Sequence, residues 1–415
     1  MARISARGRA ALAVGSATAW ASRKAGRGKG GMIGGLAAMT LDPQILGRLA
    51  AGRRTALVTG TNGKSTTTRM TAAALRTVGA VASNADGANM DAGLVAALAE
   101  DRGARLAALE VDELHLPHVS DAVDPEVVVL LNLSRDQLDR VGEIMMIERR
   151  LRAGLLRHPD AIVVANCDDV LVTSIAYDCP RVVWVAAGGG WAGDSVGCPR
   201  SDGQIVWEGT HWYSTGDASF VRPEPDWWVD EETLHGPVGV ELPMALALPG
   251  RANRGNAAQA VAAAVALGAE PGAAVRAAEG VAEVAGRYAT VQVGEHEVRM
   301  LLAKNPAGWQ EALSMVDRDA PGLVVSVNGQ VPDGTDLSWL WDVRFEDFEG
   351  VRVVAAGERA ADLGVRLTYG GVEHGLVPDT LRAIASCPPG RVEVLANYTA
   401  FRDLNRAIAR GADHV

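Results

Sequence analysis

An apolar run, Ala56-Leu57-Val58, passes through Thr59-Gly60-Thr61-Asn62-Gly63-Lys64-Ser65-Thr66 straight into a helical pattern that lasts to Leu75. Few folds accommodate that order. A strand that ends in a glycine-rich turn and continues as a helix aims several backbone N–H groups, and the positive end of the helix dipole, at one point, which suits an anion. Lys64 would then reach the β- and γ-phosphates of a nucleotide, and the Ser65 hydroxyl would ligand Mg²⁺. The general loop is G-x-x-x-x-G-K-[ST]; here Val58 stands where its first Gly is expected, so Gly60-x-x-Gly63-Lys64-Ser65 is a tighter turn. The alternative is an ordinary glycine turn ahead of a surface helix, and the strand before and helix after weigh against it.

The surrounding rhythm is that of a parallel α/β protein. Short β-rich runs at Ala56 to Val58, Leu106 to Leu109, Val127 to Leu131, Ala161 to Ala165 and Val182 to Val185 alternate with helical patterns. Ligands of such sheets sit outside the carboxyl ends of the strands, where Gly60 to Ser65, Glu110 and Asn132 all fall. From Trp191 to Asp230 the rhythm breaks under crowded Gly, Pro and Trp, which predicts an insertion over 190–232. Helix signals return from Asn256 to Leu267. A second α/β unit is expected after Gly286-Arg287, with strands near Leu323 to Val327, Val351 to Ala355 and Val392 to Leu395. With 415 residues the chain exceeds what one core usually serves. The expected division is a basic leader and the start of the central domain over 1–50, a central parallel-sheet ATPase domain over 51–285, and a smaller Rossmann-like domain over 286–415.

Several further blocks resemble the Mur ligase family. Besides the T-G-T-N-G-K-[ST] loop these are Asn84-Ala85-Asp86-Gly87-Ala88-Asn89-Met90, Leu109-Glu110-Val111-Asp112-Glu113, Asn132 through Arg140, and Leu248 through Ala257. Leu302 through Gly308, Asp333 through Asp342, and Asn397-Tyr398-Thr399-Ala400 resemble the C-terminal domain of that family's MurT branch. The resemblance implies a Mur ligase-type ATPase domain, use of ATP and Mg²⁺, and activation of a carboxylate as an acyl phosphate that ammonia then attacks to form an amide. It also implies a separate class I glutaminase subunit of the GatD type, which carries a Cys and a His, and lipid II or a related γ-glutamyl substrate.

The chemistry assigns roles. Bringing a carboxylate against a γ-phosphate joins two anions, so their repulsion must be neutralised by Lys64 and Mg²⁺. Glu110, at a strand end, is the expected carboxylate ligand with Ser65 as the second, since Mg²⁺ usually takes one or two protein carboxylates; the alternative is a surface acid beside a turn. Asp112 and Glu113 read as solvated or structural. The family's G-x-x-N-x-x-N block places Asn253 and Asn256 at the nucleotide, with helix capping by Asn256 as the other reading. Asn132, Asp136 and Gln137 lie where Mur ligases bring a second metal or substrate. In the family, the aspartate of the A-D-G-x-D block is thought to complete the glutaminase's catalytic group, which here would be Asp333, where a carboxylate orients an imidazole; an Asp-Gly dipeptide equally invites a plain turn. Trp339 and Trp341, two apart, would face one side of a strand as core or interface anchors. Cys387, in Ser386-Cys387-Pro388-Pro389, is no nucleophile elbow, so no glutaminase reaction is expected within this chain.

Two departures stand out. MurT-like proteins often carry a four-cysteine zinc ribbon in the insertion; here its ligand positions hold Cys198, Ser201, Ser214 and Asp217, a set that does not close a structural zinc site, so no zinc is expected. In Gly286-Arg287-Tyr288-Ala289 the family usually has an acid in place of Ala289. These losses keep a diverged ligase with another γ-glutamyl acceptor in view, and a non-catalytic nucleotide-binding scaffold is the reading from a different class.

A net charge of −10 argues against a nucleic-acid binder. Four scattered Cys and no secretory pattern make the cytoplasm the expected compartment. Residues 1–30 are the exception to the acidity, with Arg3, Arg7, Arg9, Arg23, Lys24, Arg27 and Lys29, no acid, and Trp20 among Ala, Leu and Val. That leader either rests on an anionic membrane surface at its inner face or packs on the first domain.

Overall fold

The computed structural model describes residues 5–24, 31–84, 87–134, 141–188, 195–281, 288–334, 336–348 and 351–412. These divide into two compact units, one ending at Val281 among the described residues and one that runs from Tyr288 onward and takes in Val141.

The first unit is built on a nine-stranded sheet. Its strands are β1 (Arg54–Thr59), β2 (Val81–Ser83), β3 (Leu106–Glu110), β4 (Val127–Leu130), β5 (Ile162–Asn166), β6 (Val182–Ala186), β9 (Trp227–Asp230), β10 (Thr233–Gly236) and β11 (Val240–Pro243). A separate hairpin, β7 (Ile205–Glu208) and β8 (His211–Ser214), intervenes. The order is β11-β10-β9-β6-β5-β4-β1-β3-β2, parallel from β2 to β9 and antiparallel beyond. Runs such as Val127-Val128-Val129-Leu130 are buried on both faces, as a sheet covered by helices on each side requires. Each such side chain removed from water contributes about 1.5–3 kcal/mol. One face packs Leu57, Leu109, Val128, Leu130 and Val163 against Leu94, Leu98, Val119 and Leu151. The other receives the Lys64–Leu75 helix and the Arg251–Ala266 helix, whose Ala257, Ala258, Ala260, Ala262 and Ala263 are all buried. Alanines let that helix approach closely. The end of the irregular stretch, Trp227-Trp228, pairs with Val185-Ala186 and is therefore part of the main sheet.

The described part of the leader packs one face on the first unit. The Ala6–Lys24 helix crosses the Gly31–Leu41 helix at Gly15 and Gly34; a methyl at Gly15 would stand 2.6 Å from the Gly34 carbonyl oxygen, so the backbones touch. Trp20 remains 59% exposed.

The second unit is a six-stranded sheet of β12 (Tyr288–Val293), β13 (His296–Leu302), β14 (Gly322–Ser326), β15 (Val353–Ala356), β16 (His374–Leu376) and β17 (Gly390–Ala396), ordered β12-β13-β17-β14-β15-β16. Only β12 is antiparallel. Trp339 and Trp341 lie in a short 3₁₀ segment, Ser338–Trp341, and do not share a side. Trp339 is buried, stacked 5.4 Å from Trp309, while Trp341 is 56% exposed beside Tyr369. Residues two apart share a side only in a strand, and a 3₁₀ turn rotates successive residues differently.

Candidate active site

In the first unit the topology converges on β1. It lies between β3 and β4, so the strand order reverses there and the three carboxyl ends open on one crevice. Gly60 and Gly63 have φ of +140° and +84°, a region glycine enters at little cost. Gly63 also leaves room for a neighbour, because a methyl there would lie 2.8 Å from Oδ1 of Asn256. The loop is held from β4's end: the Thr61 amide donates to the Asn132 carbonyl (2.9 Å), the Asn62 amide to Asn132 Oδ1 (2.9 Å), and Asn132 Nδ2 returns a bond to the Asn62 carbonyl (3.1 Å). Thr61 Oγ1 bonds to the Ser134 backbone. Asn132 thus shapes the loop.

Lys64 opens the helix, with its ammonium folded back. Nζ donates to the carbonyls of Gly60 (2.6 Å) and Thr61 (3.3 Å) and pairs with Glu113 at 3.2 Å. Glu113 is therefore not a solvated acid; its side chain is only 12% exposed. Thr66 is buried behind the loop, and Ser65 faces the turn after β2, where a methyl at Gly87 would lie 3.9 Å from Ser65 Oγ.

That turn also holds Glu110. Asn84 Oδ1 accepts from the Glu110 amide (2.7 Å) and its Nδ2 donates to the Glu110 carbonyl (2.8 Å), while Asn89 Nδ2 donates to Glu110 Oε1 (3.2 Å). Glu110 is 2% exposed, which closes the surface-acid alternative. Its Oε2 is buried and has no hydrogen-bond partner among the described residues. A buried carboxylate oxygen left unpaired is costly unless a cation meets it. The residues thus fit a hard cation held by Glu110 with the Ser65 hydroxyl.

Asn253 is buried, donating to the Pro249 carbonyl at 2.6 Å, and so fixes the turn that starts its helix. That helix begins at Arg251 behind Gly250, so Asn256 is interior to it and is not a cap; its amide covers Gly63 instead. Asp86, Asp136 and Gln137 fall outside the described residues.

Beyond the crevice, the insertion keeps a ribbon-like turn pair. Cys198 is buried, the Ser201 and Ser214 hydroxyls lie 3.3 Å apart, and the Asp217 amide donates to Ser214 Oγ. Burial pushes the Cys198 thiol up, but hydrogen bonds from Ser201 and Ser214 outweigh it and hold it below the usual range. Hydroxyls occupy the space between the two turns.

In the second unit Asp333 ends a short 3₁₀ turn before Gly334 (φ +79°), and its carboxylate accepts from the Thr399 amide (3.2 Å) and the Thr399 hydroxyl. Two sequence blocks far apart, Asp333 to Asp342 and Asn397 to Ala400, meet here. Asn397 exchanges bonds with the Asn328 backbone (3.0 and 2.7 Å) and so fastens β14's end to β17's. Burial raises the Asp333 carboxyl above its ordinary range, opposed by Thr399, the Tyr398 amide and Arg402. Val331, two residues earlier, is an apolar side chain 87% exposed.

Sequence reasoning missed Asn84 and Asn89 as the clamp on Glu110, Glu113 as the partner of Lys64, and Thr399 as the partner of Asp333. All lie in quoted motif blocks, and the available signal was the presence of amide, acid and hydroxyl side chains beside strand ends, where backbone groups need partners.

A strand–loop–helix turn, a basic side chain at its mouth and a buried carboxylate one strand away fit an Mg²⁺-nucleotide site, and the chain belongs to the Mur ligase family of ATP-dependent ligases. Residues 58–264 match the Mur ligase middle domain and residues 302–401 the MurT ligase C-terminal domain. It is 29% identical to the Streptococcus pneumoniae lipid II isoglutaminyl synthase (glutamine-hydrolyzing) subunit MurT, over 92% of this chain and 93% of that one. Among solved structures, the pseudomurein peptide ligase type C of Methanothermus fervidus superposes with a TM-score of 0.69 at 17% identity, covering 89% of this chain and 81% of that one. MurF ligase of Thermotoga maritima in complex with ADP superposes with a TM-score of 0.58 at 14% identity, covering 88% and 81%.

Proposed function

We propose that this chain is the ligase subunit of an amidating enzyme that converts the α-carboxyl of D-glutamate in lipid II to the carboxamide, D-isoglutamine, with ATP and with ammonia from a class I, GatD-like glutaminase. The observation that carries the reading is the buried Glu110, with Oε2 unpartnered among the described residues beside the phosphate loop, in a chain whose C-terminal third matches MurT.

Gly60 to Thr66 cradle the phosphates through backbone amides, and the first amides of the helix, which have no acceptor within it, point the same way. Asn256 covers the loop's Gly63, and Asn253 fixes the turn from which Asn256 is presented. Lys64 leaves Glu113 to neutralise the γ-phosphate. Glu110 and Ser65 would hold Mg²⁺, which when bound would supply charge neutralisation between the two anions. A substrate carboxylate oxygen then displaces ADP from the γ-phosphorus, giving an acyl phosphate. Ammonia adds to its carbonyl carbon, loses a proton, and expels inorganic phosphate. Asp333, on the surface turn with Val331, orients the imidazole of the glutaminase subunit. The basic leader, with Trp20 outward, rests on the cytoplasmic face of the membrane, where a lipid-linked substrate is found.

The test is mass spectrometry of lipid II after incubation with the protein, Mg²⁺-ATP and an ammonium salt. An ATP-dependent mass loss of carboxyl to carboxamide is expected. No shift, with ATP bound, sinks lipid II as the acceptor. A second reading keeps the amidation but moves it to another γ-glutamyl carboxylate, favoured by the hydroxyl-filled ribbon at Cys198, Ser201 and Ser214 and by Ala289. A scaffold without chemistry would have no use for Lys64, Ser65 and Glu110 together.

A further inference from the structure

A carboxylate and two imidazoles meet at a place that the proposed reaction does not use. Asp91 begins the Asp91–Glu100 helix; its Oδ1 lies 3.0 Å from Nδ1 of His115 and 2.9 Å from Nε2 of His118, and its Oδ2 lies 3.0 Å from that same Nε2. One donor atom from each residue falls within 4.8 Å of the other two. His115 precedes the Leu116–Val123 helix and His118 sits in its first turn, with the rings 5.1 Å apart and tilted by 59°. Two imidazoles over helix N-termini would by themselves invite an anion, but a fixed carboxylate lies between them and an arriving anion would meet it at contact distance. A cation has three donors waiting.

We propose that Asp91, His115 and His118 bind a divalent transition-metal ion of the Zn²⁺ class. Two imidazole nitrogens and one carboxylate oxygen suit Zn²⁺, Co²⁺ or Ni²⁺ rather than Mg²⁺ or Ca²⁺, which take oxygen donors. Bonds of ~2.1 Å at tetrahedral angles place neighbouring donors about 3.4 Å apart; the Asp91 oxygen lies 2.9–3.0 Å from each imidazole nitrogen and all three donors lie within 4.8 Å of one another, so an ion enters with shifts of a few tenths of an ångström. The side chains are 24%, 32% and 51% exposed, so an ion enters from solvent and keeps open positions for water or a ligand carboxylate. Both arms of the cluster lead to the active site. Asn89, two residues before Asp91, donates to Glu110; Glu113, two before His115, pairs with Lys64. An ion at this site ties together the two segments that position Glu110 and occupy Lys64.

The experiment is titration of the full chain, stripped with a chelator and free of nucleotide, with Co²⁺, read by visible absorption and by thermal unfolding. One equivalent is expected to bind, with weak bands typical of nitrogen and oxygen ligation and a rise in melting temperature. Both effects should vanish in His118→Ala and in Asp91→Asn, and persist in Cys198→Ser and Glu110→Gln. His118 is half exposed, so its variant keeps the metal-free melting temperature; if one variant misfolds the other decides. No cobalt uptake by the parent chain overturns the site. So does uptake with intense thiolate bands that Cys198→Ser removes, or uptake that His118→Ala and Asp91→Asn leave intact.

Discussion

Among the described residues, Glu110 finds a partner for only one of its two carboxyl oxygens. Asn89 meets Oε1, and Oε2 is the oxygen proposed to meet Mg²⁺. Replacing Glu110 by Gln keeps the volume and the Asn89 contact and removes the charge. Amide formation and ATP-dependent ADP release should fall by about 10²-fold or more, the scale on which groups stabilising transition-state charge act, with the circular dichroism spectrum unchanged. Asp333 gives a pH prediction. Burial raises its carboxyl and the Thr399, Tyr398 and Arg402 contacts only partly reverse this, so the folded chain binds the proton more tightly than the unfolded one. Its stabilising contribution is complete below the ordinary aspartate range and is lost as pH rises through the raised value. The role proposed for it toward a partner imidazole runs the other way, because only the carboxylate can orient an imidazolium. The acid limb of glutamine-driven amidation should therefore lie above the ordinary aspartate range. Asp333→Asn should abolish glutamine-driven turnover and spare ammonia-driven turnover; equal loss of both removes Asp333 from the partner's chemistry.

Gly63 and the ribbon show what elements demand of their residues. At φ +84°, with Asn256 Oδ1 2.8 Å from where a methyl would go, Gly63→Ala should cost about 1–3 kcal/mol and weaken nucleotide binding, measured by thermal unfolding and calorimetric titration. The ribbon turns are joined by Ser201 and Ser214 where a metal-dependent ribbon would have thiolates. Dialysis against a strong zinc chelator should leave the exposure of Trp212, buried beneath it, unchanged by fluorescence. A red shift on chelation would mean that Cys198 recruits a metal after all. Elements of this kind were legible to different degrees. The central strands β1, β3, β4 and β5 could be read because each is a short apolar run that both faces bury. The 3₁₀ segment at Ser338–Trp341 could not, because two tryptophans two apart fit a strand equally well. β9 was hidden in the crowded stretch before Asp230, since only pairing with β6 reveals it as a strand.

At the scale of the whole molecule, the two units have separate cores, so heating should show two transitions. ATP with Mg²⁺ should raise only the one belonging to the unit that carries Lys64, by about 2.7 kcal/mol when the nucleotide is at 100 times its dissociation constant. A single transition shifted as one would mean that the units unfold together. The strand–turn–helix at Gly60–Ser65 and the strand end bearing Glu110 could be read in the sequence because each is local in the chain. The Lys64–Glu113 pair could not, since it joins residues 49 positions apart and depends on how β1 and β3 are registered. That pair has a consequence of its own. With its lysine already engaged, the empty enzyme offers a stray phosphate little net charge, and an incoming ligand must out-compete a carboxylate to be held. A triphosphate with its metal can do so, whereas a lone phosphate or a spent nucleotide has less to offer. Discrimination between fuel and product would then begin in the resting enzyme, before any acceptor has arrived.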